Sequence, residues 1–162
     1  MTAMELNGQT LAPAGQLSDG LFAVLGFSSR GESYAFPLSS VHEILSPPPI
    51  TEVPMAPAEV LGVITVRGQI VTVVDFRRVL ERQSLLTRDA AAILLVDNSG
   101  ELIGVAVDGV SQVYRLRREQ IEYASAMNAD LSDYVLGIGR VKEAGEGETM
   151  LVLVDPVALL GG

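Results

Sequence analysis

The amino-acid sequence predicts an all-β fold, and three observations predict it: short β-rich runs recur along the chain, glycine-marked turns divide them, and helix signals are few and brief. The runs are Phe22 to Phe27, Ser33 to Pro37, Leu61 to Val66, Gln69 to Asp75, Ala92 to Asp97, Leu102 to Asp108, Ser111 to Leu116, Leu136 to Val141 and Met150 to Val154. Between them, Arg30-Gly31-Glu32, Arg67-Gly68-Gln69, Asn98-Ser99-Gly100 and Ala144-Gly145-Glu146-Gly147 each supply a glycine able to take positive φ, which marks a hairpin.

The helical signals are local. Ser40-Val41-His42-Glu43 has the S-x-x-E spacing of a capping box and predicts one or two helical turns before Pro47. Asp75 ahead of Phe76 to Arg82, and Asp155 ahead of Pro156 to Leu160, read as N-capped helices, the second with Pro at its favoured first position. A further helical or turn segment is expected within Arg117 to Ala126. Residues 1 to 19 are polar and without periodicity, and read as a mobile tail before a folded region spanning 20 to 162.

Lining up these pieces exposes an internal repeat. Phe22-Ala23-Val24-Leu25, a turn at Gly31, and a strand leading to Val41 are echoed by Ile93-Leu94-Leu95-Val96, a turn at Gly100, and a strand leading to Val110. Leu61-Gly62-Val63-Ile64, followed by Val73-Val74-Asp75 and a helix, is echoed by Leu136-Gly137-Ile138-Gly139, followed by Leu153-Val154-Asp155 and a helix. Two similar β units are implied, about 20 to 85 and 86 to 162, with room for strand or helix exchange between them.

Composition removes several function classes. With 48% hydrophobic residues in 162, the chain has material for a full core, as one domain or two small packed ones. Arg67, Asp75, Asp97, Asp108 and Asp155 interrupt every apolar run before it reaches the roughly 18 residues of a spanning helix, so no membrane insertion is expected. The N-terminal stretch has neither a basic nor an apolar leader region, which points to the cytoplasm. Zero Cys and a single His leave no thiol nucleophile and no imidazole set for a metal, so no cofactor is expected. A net charge of −9 opposes nucleic acid and anionic lipid, and the absence of Trp leaves little for a base-stacking platform.

The enzymatic alternative rests on aspartates at strand ends, because Asp75, Asp97, Asp108 and Asp155 are the carboxylates available for acid-base or metal chemistry. Local roles account for each better: helix caps for Asp75 and Asp155, turn openings for Asp97 and Asp108. His42 stands alone without a nucleophile motif, and no nucleotide-binding glycine motif is complete. The reading is therefore a noncatalytic protein. A lone Arg67 beside Gly68 at a hairpin tip, flanked by strands otherwise free of charge, suits a binding site.

The stretch Gly-Val-Ile-Thr-Val-Arg-Gly from Gly62, followed by Val-Val-Asp-Phe-Arg to Arg77, resembles the signature of the CheW family of bacterial chemotaxis coupling proteins. Similar residues run in order over about 20 to 160, through Val41-His42-Glu43-Ile44, Ile50-Thr51-Glu52-Val53-Pro54, Gly104 to Val113, Glu119-Gln120-Ile121 and Gly137-Ile138-Gly139. Thr65 and Thr72 stand where many members have Asn and Pro, and Pro47-Pro48-Pro49 and the acidic loop from Glu143 to Glu148 are further local departures.

The resemblance implies two packed, SH3-like, five-stranded barrels. It also implies a cytoplasmic adaptor, recruited to receptor arrays, that binds the tip of a chemoreceptor and the regulatory domain of a CheA-type histidine kinase. A detached regulatory module of such a kinase, which shares the fold, is the alternative. Position by position, the receptor surface would use Val41, Glu43, Ile44, Gly62, Arg67, Gly68 and Val110 in a groove between the barrels. Val41, Ile44 and Val110 would offer apolar surface, Gly62 and Gly68 close backbone approach, and Arg67 directional donors oriented by pairing with Glu43.

Overall fold

The structure, a computed structural model, describes residues 5–6, 9–12, 16–17, 20–81, 91–126, 133–142, 145 and 147–161. The strands in chain order are β1 (Glu5–Leu6), β2 (Gln9–Ala12), β3 (Gln16–Leu17), β4 (Phe22–Ser29), β5 (Glu32–Pro37), β6 (Val41–Leu45), β7 (Val60–Val66), β8 (Gln69–Asp75), β9 (Ala92–Asn98), β10 (Glu101–Val107), β11 (Gly109–Leu116), β12 (Ile121–Tyr123), β13 (Val135–Lys142) and β14 (Glu148–Val154). Helix α1 (Phe76–Glu81) follows β8 and α2 (Pro156–Leu159) follows β14. The tail expected over residues 1 to 19 and the turn expected at Ala144 to Gly147 fall partly outside the described residues.

The hairpins trade places between the two halves of the chain. One sheet runs β6-β9-β10-β8-β7; the other contains β4-β5-β14-β13-β12, with β11 pairing β4. Each hairpin of one half therefore completes the barrel of the other. The pairings match: β6 with β9 and β11 with β4 are antiparallel, while β10 with β8 and β14 with β5 are parallel.

This exchange explains why Phe22 to Phe27 and Ala92 to Val96 read as unbroken apolar runs and not as alternating strands. Both faces of these hairpins are buried. Ile93, Leu95 and Ala106 fill one barrel with Ile64, Val71 and Val73, whereas Phe22, Val24 and Ala35 fill the other with Tyr114, Leu116, Leu151 and Leu153. The intervening side chains Leu25, Phe27, Leu94, Val96, Val105 and Val107 meet between the barrels in a third, shared core. Phe76, fully buried at the start of α1, stands at its centre, with ring centroids 4.9 Å from Phe27, 4.7 Å from Tyr34 and 5.9 Å from Phe36.

The repeat is also visible in the glycines. A Cβ on Gly62 would come within 2.2 Å of the Thr51 carbonyl oxygen, and one on Gly137 within 2.4 Å of that of Glu122. Each glycine follows a register shift in its strand and lets a neighbouring segment close over it. Both helices are capped as the sequence expects. Asp75 Oδ1 accepts from the amides of Arg77 and Arg78, and Asp155 Oδ1 from those of Val157 and Ala158.

The helix expected after Ser40 does not form. Ser40 to Glu43 is not a capped helix: a 3-10 turn occupies Leu38–Ser40 without a side-chain cap, and Val41–Leu45 is strand β6. Tertiary pairing wins over the local capping pattern, because β6 docks on β9 and places Leu45 against a barrel core and Val41 against the shared one. The segment from Arg117 to Ala126 holds 3-10 turns at Arg118–Gln120 and Ala124–Ala126 around the short strand β12.

Candidate functional site

Strand β6 carries the first part of the site because its pairing with β9 is bulged. Val41 lies opposite Val96 and Ile44 opposite Leu94, so both face the side of the sheet that builds the shared core. The register shift after Val41 leaves His42 without a partner and sets Glu43 opposite Leu95, and the Glu43 carboxylate reaches the β7–β8 turn. There Arg67, at φ 47° on the tip of the hairpin, donates from NH1 and NH2 to the two Glu43 oxygens at 3.2 and 2.5 Å.

The pair is two-pronged and solvent-facing, with Arg67 63% and Glu43 34% exposed. The hydrogen bond from Arg67 holds the Glu43 carboxyl below the usual carboxylate range, and that same bond raises the Arg67 guanidinium above its ordinary value. Both groups are thus charged at neutral pH. Arg67 uses two of its five N–H donors on Glu43, which fixes the plane of an exposed guanidinium and leaves three donors for other acceptors.

Val110 comes from the other barrel. It lies opposite Phe27 on β11 and, like Val41, packs partly buried against the shared core. Gly68 is exposed at φ 82° with open space where a Cβ would stand. Gly62 departs from the expectation that it opens the surface to a partner's backbone. It is buried, and the backbone that approaches it is the chain's own Thr51. Its effect on the site is through the fold.

Sequence reasoning passed over Val113. The β11–β4 register shifts between Val110 and Val113, so that Val113 lies opposite Leu25 and stays 44% exposed, as Ile44, opposite Leu94, stays 48% exposed. Val41 and Ile44 on one edge strand thus correspond to Val110 and Val113 on the other. The signal lay in the repeat: extending the match of Val41 to Val110 by three residues pairs Ile44 with Val113.

The aspartates are engaged elsewhere. Asp75 and Asp155 cap helices, Asp97 accepts from the Gly100 amide at 2.8 Å, and Asp108 accepts from the Arg30 amide at 2.6 Å. The Asp108 contact is not the local turn expected from Gly109; it ties the β10–β11 junction to the distant β4–β5 turn. Among the described residues no group of His, Asp and Glu is arranged to hold a metal ion, and no helix is long and apolar enough to cross a membrane.

Residues 23–162 match the family model of the CheW-like domain. The chain is 31% identical over 135 residues to the chemotaxis protein CheW of Klebsiella aerogenes, covering 83% of this chain and 78% of that protein. It is 28% identical to the chemotaxis protein CheW of Rhizobium meliloti, over 88% of this chain and 89% of the relative. The crystal structure of the scaffolding protein TtCheW from Thermoanaerobacter tengcongensis superposes with a TM-score of 0.71 at 24% identity, covering 86% of this chain and 92% of that one, and shares the fold. With a family match over nearly all of the described barrels and relatives aligned along most of their own lengths, this chain belongs to the CheW-like family of chemotaxis proteins.

Proposed function

We propose that this chain is a noncatalytic coupling scaffold that joins the cytoplasmic tip of a chemoreceptor to the regulatory domain of a CheA-type histidine kinase, and that it works in the cytoplasm at receptor arrays. The receptor side is the rim where the two barrels meet, built from Val41, Glu43, Ile44, Arg67, Gly68, Val110 and Val113. The observation that carries this reading is the oriented Glu43–Arg67 pair, whose Glu43 shares β6 with Val41, partly buried against the shared core, and with the exposed Ile44. An amphipathic helix supplies what such a rim lacks: an apolar stripe for the valines and isoleucine, and acceptors for the remaining N–H groups of Arg67. An interface on the order of 1,000 Å² or somewhat more suits reversible assembly.

The test is co-sedimentation of the purified protein with receptor-bearing membranes. Arg67→Glu faces Glu43 with a like charge and removes the donors, so binding falls while the fold persists, because both groups are exposed. The exchanged pair Glu43→Arg with Arg67→Glu restores the ion pair and recovers part of the binding. A folded Arg67→Glu protein that sediments like wild type removes Arg67 from the site.

A further inference from the structure

The face of β11 that begins at the candidate site ends in an unbalanced cluster of positive charge. Val113 lies opposite Leu25 and Arg115 opposite Ala23, so the two residues share the outward face of the strand. Arg117 follows in extended conformation and Arg118 opens the next turn, and Arg115, Arg117, Glu119 and Gln120 line a shallow open depression there.

Two features separate this corner from an ordinary solvated surface. The first is pairing. The chain has 20 Asp and Glu against 11 Lys and Arg, so a guanidinium has ample carboxylates to choose from. Arg67, Arg77 and Arg140 each take one, yet among the described residues Arg115, Arg117 and Arg118 form no salt bridge although Glu119 stands beside them. The second is rigidity. The Gln120 side chain accepts from the Arg117 amide at 2.8 Å and donates to the Arg140 carbonyl at 3.2 Å, and the Gln120 amide donates to the Arg117 carbonyl at 2.9 Å. The turn carrying the charges is thereby pinned to β13, and little backbone freedom remains to be lost on binding.

We propose that Arg115, Arg117 and Arg118 receive an acidic segment of the receptor, beyond its apolar contact with Val110 and Val113. The identity of the partner rests on the function proposed above; the acidic chemistry rests on the corner alone. Four residues of extended chain separate Val113 from Arg117, about 13 Å at ~3.3 Å per residue. On a helix lying along β11 that distance is about nine residues at 1.5 Å each, so the carboxylates belong roughly two and a half turns from the apolar stripe. A compact acidic segment fits better than a nucleic acid or a lipid surface. Either of those extends past the patch onto a chain of net charge −9, whereas attraction is confined to about 8–10 Å by salt screening.

The experiment uses the full chain and the triple variant Arg115→Ser, Arg117→Ser, Arg118→Ser, whose replaced side chains are all exposed. A labelled hexaglutamate peptide, phosphatidylglycerol vesicles, a single-stranded oligonucleotide and the tip fragment of a chemoreceptor from the same genome are each titrated at low and high salt. Hexaglutamate and the receptor tip are expected to lose about tenfold or more in affinity for the variant at low salt, as three rim charges of modest individual worth imply, and to lose that difference at high salt. Equal binding of hexaglutamate by wild type and variant overturns the proposal, as does tighter binding of vesicles or oligonucleotide. A receptor tip indifferent to the variant overturns the placement along β11. A tip that wild type does not bind, with hexaglutamate still discriminating, refutes the proposed receptor and leaves the acidic chemistry standing.

Discussion

Replacing Phe76 with Ala tests whether the shared core joins the barrels into one cooperative unit. Phe76 is fully buried and contacts three aromatic rings of the β4–β5 hairpin across the junction. Truncating a core Phe to Ala costs about 3–5 kcal/mol, and loss of aromatic contacts worth roughly 0.5–1.5 kcal/mol each sets this site toward the upper end. With a urea m-value near ~2 kcal/mol/M for a chain of this size, the midpoint drops by about 2 M. The control is Phe22→Ala, equally enclosed but inside one barrel and without a ring contact among the described residues, for which about 3 kcal/mol is expected. Urea unfolding followed by far-ultraviolet circular dichroism measures both. Because Val41 and Val110 rest on the same cluster as Phe76, the proposed receptor binding weakens in Phe76→Ala and not in Phe22→Ala. A Phe76→Ala midpoint within about 0.5 M of wild type, with the structure intact, refutes the claim that this seam holds the barrels together.

Three further outcomes follow from the same geometry. Glu43 has a lowered pKa, so the stabilisation from its pair with Arg67 is complete above the ordinary carboxylate range and fades only as pH falls through the lowered value; side-chain NMR titration shows Glu43 moving up in Arg67→Ala, and an unmoved value contradicts the pairing. Burial, followed by the hydrogen bond to Glu32, pushes the Tyr34 hydroxyl up to about 12, so the unfolded chain loses this proton first and stability declines as pH rises above about 10. Tyr34→Phe flattens that decline in melts taken at alkaline pH. Gly62→Ala forces a Cβ onto the Thr51 carbonyl and costs more than about 2 kcal/mol, whereas Gly68→Ala meets open space and costs only the left-handed backbone, about 1 kcal/mol; equal midpoints for the two variants contradict the packing role of Gly62.

The sequence by itself determined what local chemistry determines. Asp75 and Asp155 cap helices because a carboxylate ahead of a helix satisfies amides two and three residues away, and no distant contact is required. The turns at Gly31, Gly68 and Gly100 follow from positive φ, and nine of the strands from apolar runs between them. The repeat foretold two β units because Gly62 and Gly137 occupy equivalent strands.

Tertiary structure alone decided which hairpin completes which barrel, since apolar runs specify burial but not the partner that provides it. It turned Val41–Leu45 from a capped helix into an edge strand, because pairing with β9 packs Leu45 against a barrel core and outweighs one local cap. It also assigned Gly62 to packing and Gly68 to the surface, a distinction set by what stands within a few ångströms of each Cα and not by the residue type they share. The Glu43–Arg67 pair lies between these cases: the family resemblance suggested the partners, and the closing of the β6-β9-β10-β8-β7 sheet, whose two ends carry them, brings them together.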